Sequence, residues 1–226
     1  MDSEELCGWD KCWEDGNATW HDFEDADANI TWSKPDGRIA KAYVPMCGAS
    51  HSLETLAVAD SAVYAVEYST LGVDSVIKRF SDDGFVVKNE SSNERAERVI
   101  TLEKGGATLI VTQGDVLAQR VTDDQTIDYI YDRGALNAVP EQYRADYVAH
   151  LLRLLSPEGT LFLELIDMPE MPGRGGNTDT VHALFKGTGL QVRKQRKVTL
   201  DAGSMGTFTA SQFVLARPDA AGNLSP

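Results

Sequence analysis

Residues 42–48 read Ala-Tyr-Val-Pro-Met-Cys-Gly, and twenty residues after Cys47 comes Ala65-Val66-Glu67. No other feature constrains the fold of this chain as much. An apolar, β-rich run at 39–46 enters a tight glycine turn. A helical stretch follows at 52–60, and a second apolar run at 62–67 ends on a carboxylate. Two successive strands joined through a helix are parallel, and parallel strands are buried on both faces. The chain is thereby committed to an α/β sheet with helices packed on it.

The remaining pattern extends that unit. Trp9 and Trp13 are four residues apart and share one face of an N-terminal helix, which Asp15-Gly16-Asn17 breaks. Residues 21–38 are polar and acidic and read as a loop. Residues 70–80 predict a helix. Residues 81–97 read as an irregular surface insertion. The runs 98–102 and 108–112 flank Gly105-Gly106 and predict a hairpin. Residues 127–131 predict a strand ending on Asp132-Arg133. Pro140 opens a helix over 141–155, with Tyr143, Tyr147 and Leu151 on one stripe, and Ser156-Pro157-Glu158-Gly159 terminates it. A strand follows at 160–166. Residues 168–178 are a loop rich in proline and glycine, 180–186 a short helix, and 190–199 with 207–215 two closing antiparallel strands. The expected architecture is α/β and doubly wound, a mostly parallel sheet with an antiparallel C-terminal edge. A single domain over 1–226 is expected: a lid helix and loop over 1–38, a core over 39–217 and a flexible tail over 218–226.

Thirty-five acids against 21 bases give a net charge of −14. Such a surface repels phosphate backbones and anionic lipids, so neither nucleic acid nor membrane is an expected partner. A small-molecule substrate is the expected partner, and a monomer the expected state. Cys7, Cys12 and Cys47 form no disulfide framework, and with four scattered histidines they offer no metal site. The acidic start Met1-Asp2-Ser3-Glu4-Glu5 lacks the features of a signal peptide. The expected compartment is the cytoplasm.

In a doubly wound sheet, ligands sit beyond the carboxyl ends of the strands, and the notable residues fall there. Gly48 allows the backbone to approach a ligand closely. Glu67 can accept hydrogen bonds from both hydroxyls of a ribose. Gly114-Asp115-Val116 can frame adenine. Arg133 can hold a carboxylate or an anionic acceptor. One glycine stands where a dinucleotide fingerprint has three, which serves a pyrophosphate poorly; S-adenosylmethionine has no phosphate and tolerates one close approach. Plainer readings stand beside these. Gly48 can be a simple turn, Glu67 a solvated strand end, Asp115 a helix cap, and Arg133 the ion-pair partner of Asp132. The indoles of Trp9, Trp13 and Trp20 can be core, or a lid whose faces attract a sulfonium with about 1–2 kcal/mol.

These segments together resemble the thiopurine S-methyltransferase family, which includes plant halide and thiol methyltransferases. The matching residues are Trp9-Asp10-Lys11-Cys12-Trp13 with Trp20-His21, Val44-Pro45-Met46-Cys47-Gly48, Ala65-Val66-Glu67-Tyr68-Ser69, Gly114-Asp115 and Tyr131-Asp132-Arg133-Gly134-Ala135-Leu136. The resemblance implies a seven-stranded Rossmann-like sheet of the class I methyltransferases, with S-adenosyl-L-methionine as cofactor. It implies cofactor contacts from Trp9, Trp13, Met46, Glu67, Asp115, Val116 and Arg133, with Trp20 at the boundary between cofactor and acceptor. Cys47, Gly48, Tyr68 and Gly114 complete the candidate set, and Asp132 with Arg133 is the candidate catalytic pair. The implied reaction is methyl transfer to a small soft nucleophile, a thiol. The alternatives are a halide, an inorganic sulfur, selenium or arsenic species, or a non-catalytic adenosyl-binding module.

Three departures from the family pattern matter. Met46 replaces the usual leucine, a volume-conserving change. The segment between His21 and Val44 is shorter than in the family's animal enzymes, so a helix over the acceptor pocket is expected to be missing. The loop Met171-Pro172-Gly173-Arg174-Gly175-Gly176-Asn177 replaces a Gly-Pro-Pro-Phe-like turn.

Overall fold

The computed structural model describes residues 1, 3–18, 20–22, 24–93, 96–119, 121–122, 124–168, 174–201 and 206–218, with the backbone alone at 3–7, 93, 96 and 97. The expected flexible tail beyond Pro218, residues 169–173 of the 168–178 loop and the Cys7 side chain lie outside the described residues. The chain divides into two compact units, Met1–Ile30 with Ile39–Asp123, and Thr31–Arg38 with Asp124–Pro226.

The first unit is built around the glycine turn. Strand β1 (Lys41–Val44) pairs in parallel with β2 (Ala62–Glu67), placing Lys41 opposite Ala62 and Val44 opposite Ala65. A short helix, α3 (Ser52–Leu56), makes the crossover. β2 pairs in parallel with β5 (Ala107–Gln113), and Glu67 faces Gln113 across the ladder. Helix α1 (Ser3–Glu14) packs against α4 (Thr70–Asp82). The apolar stripe of α4, Val73, Val76 and Phe80, is buried, as a helical period facing a sheet requires.

The second unit carries β6 (Ile127–Arg133) parallel to β7 (Leu155–Ile166), followed by β9 (Thr207–Ala216) and β8 (Gln191–Asp201), both antiparallel. Helix α6 (Arg144–Leu154) buries Tyr147, Val148, Leu151 and Leu154. A four-residue helix, α5 (Ala135–Ala138), follows β6, and α7 (Thr178–Phe185) opens on a capping box at Asn177.

Three expectations are corrected. Nine strands occur among the described residues where seven were expected. The strand not foreseen is β3 (Val86–Asn93), which pairs with β4 (Ala96–Lys104) in the stretch read as an irregular insertion. β3 is a polar edge strand with Val86 and Val87 exposed; backbone pairing holds it, so no apolar alternation marks it. The sheet segment of the first unit therefore runs β3-β4-β5-β2-β1, and both units, not the C-terminal one alone, end in antiparallel pairs. Second, residues 21–38 are not all loop. Helix α2 (Ala26–Ser33) lies there, its first turn capped by Asp25, whose Oδ1 accepts from Ala28 N at 3.0 Å. Ala26, Ile30 and Ser33 recur at helical spacing and are buried. Third, β7 begins at Leu155, the last residue of the expected helix, and runs on through the expected terminator. A ladder irregularity between Ile127 and Tyr129 absorbs Ser156–Gly159, and regular pairing starts at Thr160. Among the described residues, no helix is long and apolar enough to cross a membrane.

Candidate active site

In the first unit, two loops are pinned to the end of β2. Cys47 N donates to the Val66 carbonyl at 2.8 Å, and Gly114 N donates to the Glu67 carbonyl at 2.9 Å. The carboxyl ends of β1, β2 and β5 are thereby held together. Glu67 is 6 % exposed. Its Oε2 accepts from Gly48 N at 2.9 Å and its Oε1 from Ser69 N at 2.8 Å. Burial raises its pKa above the ordinary carboxylate range; the Ser69, Gly48 and Tyr68 amides oppose that rise. A carboxylate offers about four acceptor positions, so capacity remains after these bonds.

The turn itself is strained. Met46 has φ +47 and Gly48 φ +50. Glycine adopts that region freely, but at Met46 it costs about 1–2 kcal/mol, the kind of strain that collects at ligand sites. Ala49 and Ser50 are fixed by Arg79, whose Nη1 and Nη2 donate to their carbonyls at 2.6 and 2.8 Å. Cys47 is fully buried. Burial pushes its thiol well above the ordinary value, and the Glu67 charge adds to this. A neutral, shielded thiol is no nucleophile.

The tryptophans gather over this turn. Trp20 meets Trp9 and Trp13 edge-on, with centroids 5.6 and 6.0 Å apart, and Trp13 stacks on His21 at 5.9 Å. A Cβ at Gly48 would lie 3.1 Å from Trp20 Nε1 and 3.5 Å from Trp13 Cζ2. A Cβ at Gly72, in α4, would lie 2.8 Å from Glu67 Cγ and 3.1 Å from Trp13. Two glycines therefore let the indoles and the carboxylate share one small space. Trp9 Nε1 is buried and meets no acceptor among the described residues. This donor set fits a nucleoside with an attached cationic chain. Glu67 accepts, the indole faces suit a sulfonium, Trp9 offers a donor without an acceptor, and Gly48 removes the side chain that would block approach.

At the end of β5, Asp115 caps the following turn, Oδ1 accepting from Leu117 N at 3.0 Å, and its other oxygen is ion-paired with the Met1 ammonium. Val116 is buried.

Asp132 and Arg133 belong to the second unit. Asp132 is fully buried; its Oδ2 accepts from Tyr147 Oη at 2.7 Å and its Oδ1 from Leu136 N at 3.2 Å. These bonds tie α5 and α6 to the end of β6 and commit the carboxylate to structure. Arg133 Nε pairs with Glu164 Oε1 at 3.2 Å, not with Asp132. Glu164 Oε2 accepts from Gln212 Nε2 at 2.5 Å, Gln212 Oε1 accepts from Arg196 Nε at 2.6 Å, and Arg196 lies 4.2 Å over the Trp32 ring. A continuous polar chain thus holds the guanidinium in place.

Sequence reasoning missed Gly72, Tyr147, Glu164 and Gln212. Glu164 did leave a signal, a lone carboxylate inside Leu161-Phe162-Leu163-Glu164-Leu165, because a buried charge requires partners.

Burial pushes the Asp132 carboxyl from 3.8 up to about 7, opposed by the Tyr147, Leu136 and Ala135 donors. A carboxyl that holds its proton more tightly when folded stabilises the fold fully below its unfolded pKa and loses that contribution as pH rises through the folded value. Asp132→Asn cannot titrate. From about pH 5 to about pH 8 it is expected to gain stability relative to the wild type on the order of 2 kcal/mol. Paired urea melts across that range check this; a constant difference contradicts the burial account.

The fold class emerges from comparison with solved structures. A Burkholderia thailandensis 1,6-didemethyltoxoflavin-N1-methyltransferase with bound S-adenosylhomocysteine superposes with a TM-score of 0.66 at 12% identity, over 94% of this chain and 87% of that one. A TehB-like S-adenosylmethionine-dependent methyltransferase from Corynebacterium glutamicum gives 0.57 at 14% identity, over 96% of this chain and 100% of that one. The architecture is therefore the Rossmann-like α/β fold of these methyltransferases.

The family model for thiopurine S-methyltransferase (TPMT) matches residues 4–211, and the chain belongs to that family. Neighbours in the fold comparison include enzymes solved with S-adenosylhomocysteine or S-adenosyl-L-methionine bound. Relatives include a thiopurine S-methyltransferase of Vibrio cholerae serotype O1, 32% identical over 130 residues, 58% of this chain and 55% of that protein. The aligned stretch thus spans little more than half the length of that relative. Another, from Photobacterium profundum, is 28% identical over 189 residues, 80% of this chain and 83% of that one.

Proposed function

We propose that this protein transfers the methyl group of S-adenosyl-L-methionine to a small soft nucleophile, a thiol. One observation carries the reading. The buried Glu67 carboxylate at the end of β2 lies against Gly48, Gly72 and the indole cluster, a setting suited to a ribose and an adjoining cation. S-adenosylmethionine, when bound, supplies a methyl group activated by its sulfonium. Glu67 would hold the ribose, Gly48 would admit the amino-acid chain, and Trp9, Trp13 and Trp20 would exclude water and offer indole faces to the sulfonium. For Arg133 we propose contact with an anionic group, the cofactor carboxylate or the acceptor.

The commitment of Asp132 to Tyr147 and Leu136 favours acceptors that ionise without a protein base. Aryl thiols, hydrosulfide and halides meet that condition better than alkyl thiols, whose pKa is about 8.5. The S-methyltransferase names of the relatives favour sulfur over halide. The partners on this reading are small molecules, the expected state is a monomer, and the expected compartment is the cytosol.

The test is transfer of labelled methyl to a panel of aryl thiols, alkyl thiols, hydrosulfide, iodide and amines, with headspace detection of volatile products. Aryl thiols are expected to turn over fastest at neutral pH. If S-adenosylmethionine binds but no panel member is methylated, the proposal fails.

A further inference from the structure

The second unit holds a cavity of about 560 Å³ at the end of its sheet opposite Arg133. Thr160, at the start of regular pairing in β7, lies on its wall. Glu164, the partner of Arg133, is four residues along the same strand, roughly 13 Å away at strand rise. Ligand sites of doubly wound folds lie at carboxyl strand ends, so this cavity at the amino end of β7 is separate from the Arg133 cluster.

Its lining departs sharply from the rest of the chain. In a protein of net charge −14, Lys34, Arg193, Lys194 and Arg217 line it against only Asp36 and Glu158. None of the four cations makes an ion pair among the described residues. Arg193 is the telling one. Its Nη2 donates to the Arg217 carbonyl, which fixes the guanidinium, while Nε and Nη1 are closed off from solvent and meet no acceptor among the described residues. Buried donors of a charged group are unfavourable unless an acceptor reaches them. Arg217 is likewise anchored, Nη1 donating to the Ser156 carbonyl at 2.8 Å.

The backbone is built to present these groups. Successive residues of a strand face opposite sides of a sheet, yet Arg193 and Lys194 both line the cavity. The β8–β9 ladder explains this. Val192 pairs with Leu215 and Lys194 with Val214, so Arg193 is an extra residue in a bulge, a device that re-aims side chains. Pro35, Pro157 and Pro218 add stiff apolar surface to the same lining.

We propose that this cavity binds a small organic phosphate monoester, with the phosphoryl group on Arg193, Lys34 and Lys194 and the organic part against the prolines. A guanidinium and two ammonium groups lining one cavity match the charge of a phosphate monoester. The volume falls in the range of small-molecule sites, about 300–1,000 Å³, and exceeds what inorganic phosphate fills. The inference stands whether or not the methyl-transfer reading holds.

Phenyl phosphate is the probe, titrated calorimetrically at constant ionic strength, with inorganic phosphate and benzyl alcohol alongside. Phenyl phosphate is expected to bind in the submillimolar range and more tightly than either companion. Arg193→Ala is expected to weaken it by about tenfold or more, and Lys34→Ala, an exposed position that folding tolerates, by about threefold. Thermal melts confirm that both variants are folded. No binding to the wild type at millimolar concentration, unchanged affinity in folded Arg193→Ala or Lys34→Ala, or equal affinity for inorganic phosphate would each overturn the proposal.

Discussion

Glu67→Ala is expected to weaken binding of S-adenosylhomocysteine by tenfold or more and to lower the stability of the protein at the same time. Two effects coincide at this residue. The carboxylate accepts from Gly48 N and Ser69 N, and its removal leaves both donors unsatisfied at the end of a buried strand. An orphaned buried donor costs about 1–3 kcal/mol, so a combined loss of roughly 2–4 kcal/mol in unfolding free energy is expected. Loss of the ribose contact costs cofactor binding a further 1–3 kcal/mol or so. Glu67→Gln separates the two effects. It keeps the volume but has one acceptor oxygen, so one backbone bond survives and the other faces an amide N–H. Its stability should fall between wild type and alanine, with affinity still reduced. Calorimetric titration and urea melts on all three proteins provide the measurement. Wild-type affinity in folded Glu67→Ala would remove the central support for the proposed function.

The second large effect is expected at Gly72, where two rules of thumb disagree. Gly72 lies inside α4, and alanine is favoured over glycine in a helix interior by about 1 kcal/mol. Propensity alone therefore predicts stabilisation. The geometry predicts the reverse. The added Cβ would sit 2.8 Å from Glu67 Cγ and 3.1 Å from two atoms of Trp13. Neither neighbour yields easily: Glu67 is held by two backbone amides, and Trp13 is packed against Trp20 and His21. Overpacking of this kind costs about 1–3 kcal/mol, more than propensity returns. Gly72→Ala should lose about 1 kcal/mol of stability net and bind S-adenosylhomocysteine roughly tenfold more weakly, because relief must come from moving the carboxylate or the indole. A more stable variant with unaltered affinity would show that α1 does not pack on α4 as described.

The parts of the fold legible from sequence were those marked by apolar periodicity. β2 carries the pattern Ala-Val-Tyr-Ala-Val-Glu and occurs at the expected residues. The stripe on α6 and the final antiparallel pair were equally plain. β3 was not, because an edge strand of polar residues is held by main-chain pairing and its side chains carry no signature. α2 was passed over because acids and small polar residues obscured a weak helical stripe. Within the site, the glycine turn and the terminal carboxylate were readable, since few arrangements place a lone glycine after one strand and a carboxylate after the next. The environment of Asp132 was not readable, because Tyr147 reaches it only once α6 folds back against β6.

The residues alone determined the α/β class, the glycine turn after β1 and the carboxylate ending β2, because local steric rules and strand burial leave a short run of sequence few alternatives. Tertiary structure alone decided that Glu67 braces the turn, that Gly72 leaves space for Trp13, that Arg133 pairs with Glu164 and not with its neighbour, and that a bulge points Arg193 at a cavity. Each of these is a contact between residues distant along the chain or a change of register between strands, and the energy of such a contact exists only after the backbone has closed around it.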